Sequence, residues 1–236
     1  MARQPRLCVP GLPHLAELRA AVGVQPLATE TLRWRVLAWL ADAATTGAVQ
    51  LHAYCLLPGS ITLLLTPRTS AGLSALMQRL ARRVSLAQPA GGATKKPVWG
   101  GRFRSAVIQP ETWGLAATIW VDGAALRAGL DGGAQPWPWS SRGLHCGVTA
   151  AATGGTPPLQ LLEAHWRLGN TPFEREAAYA RQLQLGLGAG EALALERALR
   201  SGSALGDEAF LARLEADSAR RVRAAPRGRP RKQPAI

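Results

Sequence analysis

The stretch that decides the fold is HAYCLLPGSITLLL, running from His52 to Leu65. Aliphatic, aromatic and β-branched residues fill both halves, and Pro58 and Gly59 stand between them. Proline presets φ and glycine relieves the steric limit on the backbone, so this pair between two apolar runs marks a tight turn. The pattern predicts a hairpin, with one strand from Val49 to Leu57 and its partner from Ser60 to Thr66.

Upstream, Thr29 opens a segment in which Leu32, Val36, Trp39, Leu40 and Ala43 recur at helical spacing before Gly47 stops it. A first strand is expected near Leu15. Downstream, a second helix is predicted from about Ser70 to Gln88, with Leu73, Leu76, Met77, Leu80 and Val84 on one side and Arg79, Arg82 and Arg83 turned elsewhere. The loop QPAGGATKKP then leads into WGGRFRSAVIQ, which reads as a strand, and Pro110 starts another helix toward Leu130. This order predicts an α+β domain of ferredoxin type, an antiparallel sheet with helices packed on one face.

Past PWPWSSRGLHCG the composition turns small and loop-like, TAAATGGTPP. The division expected is a core over residues 1–147, a linker over 148–158, a helical region over 159–218 and a basic tail, disordered when unbound, over 219–236. Thr171, Pro172 and Glu174 fit the cap, first-turn and capping-box positions of a helix carrying Phe173, Ala177, Ala180 and Leu187. Two further helical segments are read around Glu191 to Arg200 and Asp207 to Ala216.

The formal net charge is +13 and the sequence pI about 11.3, so the natural partner is a polyanion, with nucleic acid ahead of an anionic membrane. Cys8, Cys55 and Cys146 are widely spaced and form no CxxC pair, which argues against a disulfide framework or a zinc site. The start, MARQPRLCVPGLP, has no apolar run of the kind that targets export, and the longest apolar run is broken at Pro58 and Gly59. A cytoplasmic location is the expectation.

Taken together, HAYCLLPGSITLLL, PVWGGRFRS (Pro97 to Ser105), LRAGL (Leu126 to Leu130) and PWPWSS (Pro136 to Ser141) resemble the REP-associated tyrosine transposases in order and spacing. PGLPH, LGDEAFLARLE and GRPRK extend the resemblance over most of the chain in separated blocks. It implies a ferredoxin-like domain that recognises single-stranded or hairpin DNA. In that family two histidines on one strand hold a divalent metal, Mg or Mn, and a tyrosine attacks the phosphodiester. Residues two apart on a strand share a face, so a His-x-His pair can share one cation.

At the positions implied for those histidines this chain has Ser60 and Thr62; at the nucleophile position it has Trp120, and Ala124 stands for the family's Asn one turn later. Neutral hydroxyls are weak ligands beside imidazole, and indole cannot attack phosphorus. No catalytic residue and no metal cofactor are therefore expected. The tyrosines present are Tyr54, in the hairpin, and Tyr179, in the distal helical region.

The candidate DNA-binding residues are Arg79, Arg82 and Arg83 on the second helix, Lys95 and Lys96 in the following loop, and Arg102 and Arg104, which share a strand face while Phe103 points inward. The tail adds Arg227, Gly228, Arg229 and Pro230, an R-G-R-P core like that of AT-hook peptides, flanked by Arg231 and Lys232. Glycine lets such a backbone approach closely and guanidinium groups enter a narrow minor groove. His14 and His145 read as structural, and Trp99, Trp113, Trp137 and Trp139 as packing residues before base-stacking ones. The leading reading is a DNA-binding, transposase-like protein that does not cut. An active transposase with an unusual nucleophile such as Tyr179 and a ferredoxin-like module for protein association are its rivals.

Overall fold

The computed structural model describes residues 6–89, 97–131, 136–148 and 156–224. Lys95, Lys96 and the residues from Arg227 to Lys232 lie outside them.

Six elements succeed one another in the predicted order: β1 (His14–Arg19), α1 (Glu30–Thr45), β2 (Val49–Leu57), β3 (Ser60–Pro67), α2 (Gly72–Leu86) and β4 (Arg104–Val107). The strands form one sheet in the order β2-β3-β1-β4, antiparallel throughout. The Pro58-Gly59 turn brings Leu57 opposite Ser60 and thereby sets the hairpin register. This is the α+β, ferredoxin-like fold class that the sequence predicts.

Alternation along the strands sends their side chains to two faces. Ile61, Leu63 and Leu65 pack with Val36, Leu37 and Leu40 of α1 and Leu73, Met77 and Leu80 of α2, the helix layer expected from the sequence. Leu15, Ala53, Cys55, Leu64 and Ala106 point the other way. There they meet α3 (Pro110–Asp122) through Ala116, Ala117 and Val121, and α8 (Ala189–Ser201) through Leu195 and Leu199. Both faces of the sheet are thus covered, and the distal helical region supplies part of the second layer. Each fully buried Leu stabilises this arrangement by about 1.5–3 kcal/mol.

Several local features depart from the sequence reading. The helix beginning at Pro110 ends at Asp122, and Gly123 separates it from α4 (Ala124–Arg127). Strand β4 begins only at Arg104, so Arg102 precedes it, while Phe103 is buried as expected. After the short α5 (Arg142–His145) and α6 (Glu163–Trp166), helix α7 (Pro172–Leu185) has the Thr171–Glu174 capping box, yet its buried side consists of Arg175, Tyr179 and Leu183, and Phe173 is 78% exposed. Helix α9 (Glu208–Ser218) is capped by Asp207, whose side chain accepts from the Phe210 amide at 2.8 Å. The first residues after it fold back: Val222 is buried, and Arg223 bonds Glu208 and Glu215. No helix among the described residues is long and apolar enough to cross a membrane.

Candidate functional site

On the face covered by α3 and α8, the sheet runs out beyond the helices near the β2-β3 turn. Ser60, Thr62 and Leu64 alternate onto this face; Leu64 is packed in the core, while Ser60 and Thr62 line an open cleft of about 710 Å³. Trp120 from the last turn of α3 and Ala124 from α4 line the same cleft. The structure therefore brings together on one cleft the four residues, Ser60, Thr62, Trp120 and Ala124, that the sequence resemblance singles out.

Strand pairing supplies the cleft with charge. Arg19 lies directly opposite Ser60, and Glu17 opposite Thr62. The Arg19 guanidinium donates to Glu17 Oε1 at 2.8 Å, and the other oxygen, Oε2, is buried without a hydrogen-bond partner among the described residues. A second cation comes from α4: the Arg127 guanidinium lies 4.0 Å over the Trp120 ring and donates to the Trp120 carbonyl at 2.5 Å. Glu196 of α8 closes the rim and pairs loosely with Arg200, 3.3 Å away. Neither Ser60 nor Thr62 has a side-chain hydrogen-bond partner among the described residues, although they are only 9% and 5% exposed.

The other predicted contact residues are distributed elsewhere. Arg79, Arg82 and Arg83 are exposed on α2, in the opposite helix layer, where Arg83 and Arg35 flank the Trp39 ring at 5.2 and 5.5 Å. Arg102 and Arg104 do come together, in a polar groove of about 550 Å³ beside the edge strand β4, and Arg200 of α8 joins them. Of the tryptophans, Trp139 is buried; Trp99 and Trp137 are half-buried and donate their indole N–H to the Ala81 and Leu56 carbonyls. Trp113, in the first turn of α3, is half-buried against the core.

Sequence reasoning missed a buried polar cluster behind α3. Asp122 Oδ1 accepts from the Ser141 hydroxyl at 2.5 Å, and Oδ2 accepts from the Tyr179 phenol at 2.7 Å and lies 2.6 Å from His145 Nδ1. The His165 ring lies 4.7 Å from Tyr179 and 5.2 Å from His145. A tyrosine and two imidazoles do meet, therefore, but around a fully buried carboxylate and outside the cleft. Asp122 follows Trp120 by two residues, about 200° around the helix, so the cluster and the cleft occupy different sides of α3. Tyr179 is completely buried, and burial beside Asp122 pushes its phenol well above the usual range. The remaining tyrosine, Tyr54, is also buried and raised, chiefly by loss of solvent. No local sequence signal marks the cluster, because the residues that complete it lie 19 to 57 positions from Asp122.

No protein-family model and no curated protein matches the sequence. Among solved structures, the chain is similar to a REP-associated tyrosine transposase bound to a REP hairpin, with a TM-score of 0.50 and 16% identity, over 70% of this chain and 96% of that one. The likeness is one of fold. It joins the sequence resemblance to a distant structural relationship and leaves the chemistry to be argued from the residues present.

The metal that the sequence resemblance implies does not fit those residues. Ser60 and Thr62 offer neutral hydroxyls, Ala124 offers no donor, and the nearby Glu17 already engages Arg19. The described residues contain no group of three or more His, Cys, Asp or Glu side chains able to hold a metal ion.

Proposed function

We propose that this chain is a DNA-binding, transposase-like protein that engages single-stranded or hairpin DNA without cutting it. The observation that carries the reading is the convergence of Ser60, Thr62, Trp120 and Ala124 on one cleft of a ferredoxin-like domain. The fold is similar to that of a transposase bound to a REP hairpin, and Ser60, Thr62, Trp120 and Ala124 offer neither imidazoles to coordinate a cation nor a phenol to attack phosphorus. Tyr179 is withdrawn from solvent and bonded to Asp122, which argues against it as a substitute nucleophile. The net charge of +13 and the exposed arginines of α2 and the β4 groove provide the electrostatic attraction.

The basic tail is part of this proposal, with the residues from Arg227 to Lys232 contacting the duplex portion of a hairpin. Gel shifts comparing hairpin, single-stranded and duplex DNA, with and without residues 219–236, test it. Binding that weakens steeply with salt supports the reading; engagement of about five phosphates gives a log-log slope of roughly −4 to −5 on duplex DNA. Negligible affinity at physiological salt would instead favour a protein-association module.

A further inference from the structure

The cleft presents an inconsistency that DNA binding alone does not resolve. The sequence resemblance implies a cation beside β3, and the donor set cannot hold a metal, yet the hydroxyls of Ser60 and Thr62 line the cleft without protein partners among the described residues. A hydroxyl with no protein partner is free to donate its proton to a ligand oxygen in the cleft. Beside them, in register on the neighbouring strand and across the cleft on α4, stand two guanidinium groups.

We propose that the cation of this cleft is built into the chain: the guanidinium groups of Arg19 and Arg127, with the hydroxyls of Ser60 and Thr62, hold a nucleic-acid phosphate without a divalent metal. This rests on the DNA-binding reading and specifies how that site works. Arginine suits the role because its planar fork stays charged and matches phosphate oxygens two at a time. Each guanidinium is already positioned, Arg19 by Glu17 and Arg127 by the Trp120 ring and carbonyl. Such preorganisation lowers the ordering cost of binding. Glu17 offsets part of this charge, but Arg19 binds one of its oxygens directly, and Glu196 turns toward Arg200 at the rim. The hydroxyls then donate to the phosphate oxygens that the arginines attract.

The test is fluorescence anisotropy of the full chain with a labelled single-stranded oligodeoxynucleotide of mixed sequence and with a labelled hairpin, each in magnesium and in EDTA. The expected affinities in the two buffers agree within about twofold once ionic strength is matched. An Arg19→Gln/Arg127→Gln variant is expected to bind at least about tenfold more weakly in both buffers, with a log-log salt slope on single strands shallower by about 0.7, the loss of one phosphate neutralisation. An Arg19→Lys/Arg127→Lys variant keeps the charge and recovers that slope, which a folding defect would not do. Unchanged binding by the glutamine variant, or an affinity that depends on magnesium, overturns the built-in cation while leaving DNA binding intact. Absence of binding by the unaltered chain in both buffers overturns the DNA-binding reading itself and this inference with it.

Discussion

The phenol of Tyr179 donates a hydrogen bond to Asp122 at 2.7 Å, and both residues are fully buried. The bond ties α7 to the end of α3, so a residue that could have served chemistry serves architecture. Replacing Tyr179 by Phe removes a charge-assisted bond and is expected to cost about 1.5–3 kcal/mol of stability. Urea unfolding measures this cost, and anisotropy is expected to show unchanged DNA affinity; loss of binding in a variant that remains folded would contradict a purely structural role.

Asp122 itself carries more. Three groups converge on its carboxylate, and Asp122→Ala leaves Ser141, His145 and Tyr179 without their common acceptor. Breaking a buried charged network from one side costs about 3–5 kcal/mol. The predicted result is a large fall in the urea midpoint, exceeding that of Tyr179→Phe. A loss smaller than that of Tyr179→Phe would show that the carboxylate is not the hub.

Two further histidines make stability depend on pH. Burial pulls both His14 and His52 down from 6.5 to about 4, so each is neutral in the folded protein. Between about pH 6.5 and pH 4 the unfolded chain takes up protons that the folded chain refuses, and stability therefore falls as pH falls. Each histidine contributes up to about 1.4 kcal/mol per pH unit within that window. His52→Gln is expected to flatten the slope measured by urea unfolding at pH 7, 6 and 5; an unaltered slope would contradict the assignment.

The cleft makes a constructive prediction. Ser60 and Thr62 project to one face from alternate positions, so Ser60→His/Thr62→His places two imidazoles where they can share a cation. This variant is expected to gain Mn(II) binding, visible as loss of the free-ion EPR signal, while the unaltered chain leaves the signal unchanged. Equal behaviour of the two proteins would count against the correspondence between this cleft and a metal-binding site.

Much of the fold was legible because its signals are local. The Pro58-Gly59 turn, the Thr29 start, the Thr171–Glu174 capping box and the β2-β3 strand pair each depend on neighbouring residues. Order and spacing singled out Ser60, Thr62, Trp120 and Ala124, and one cleft unites them. What the sequence hid is long-range. Arg19 faces Ser60 only through strand pairing, Glu17 faces Thr62 likewise, and Arg127 meets the Trp120 ring across the Gly123 junction between α3 and α4. The buried face of α7 was misread because Phe173 is exposed and Arg175 buried, with its guanidinium donating to the carbonyls of Gly169 and Asn170. Periodicity sees hydrophobicity and cannot anticipate a long polar side chain that satisfies itself in the interior.

The most direct measurement of the central claim incubates the full chain with a labelled hairpin oligonucleotide in magnesium or manganese and resolves the products on a denaturing gel. The account predicts a complex seen under native conditions and intact, protein-free DNA after denaturation. A covalent protein–DNA adduct accompanied by strand cleavage would contradict it.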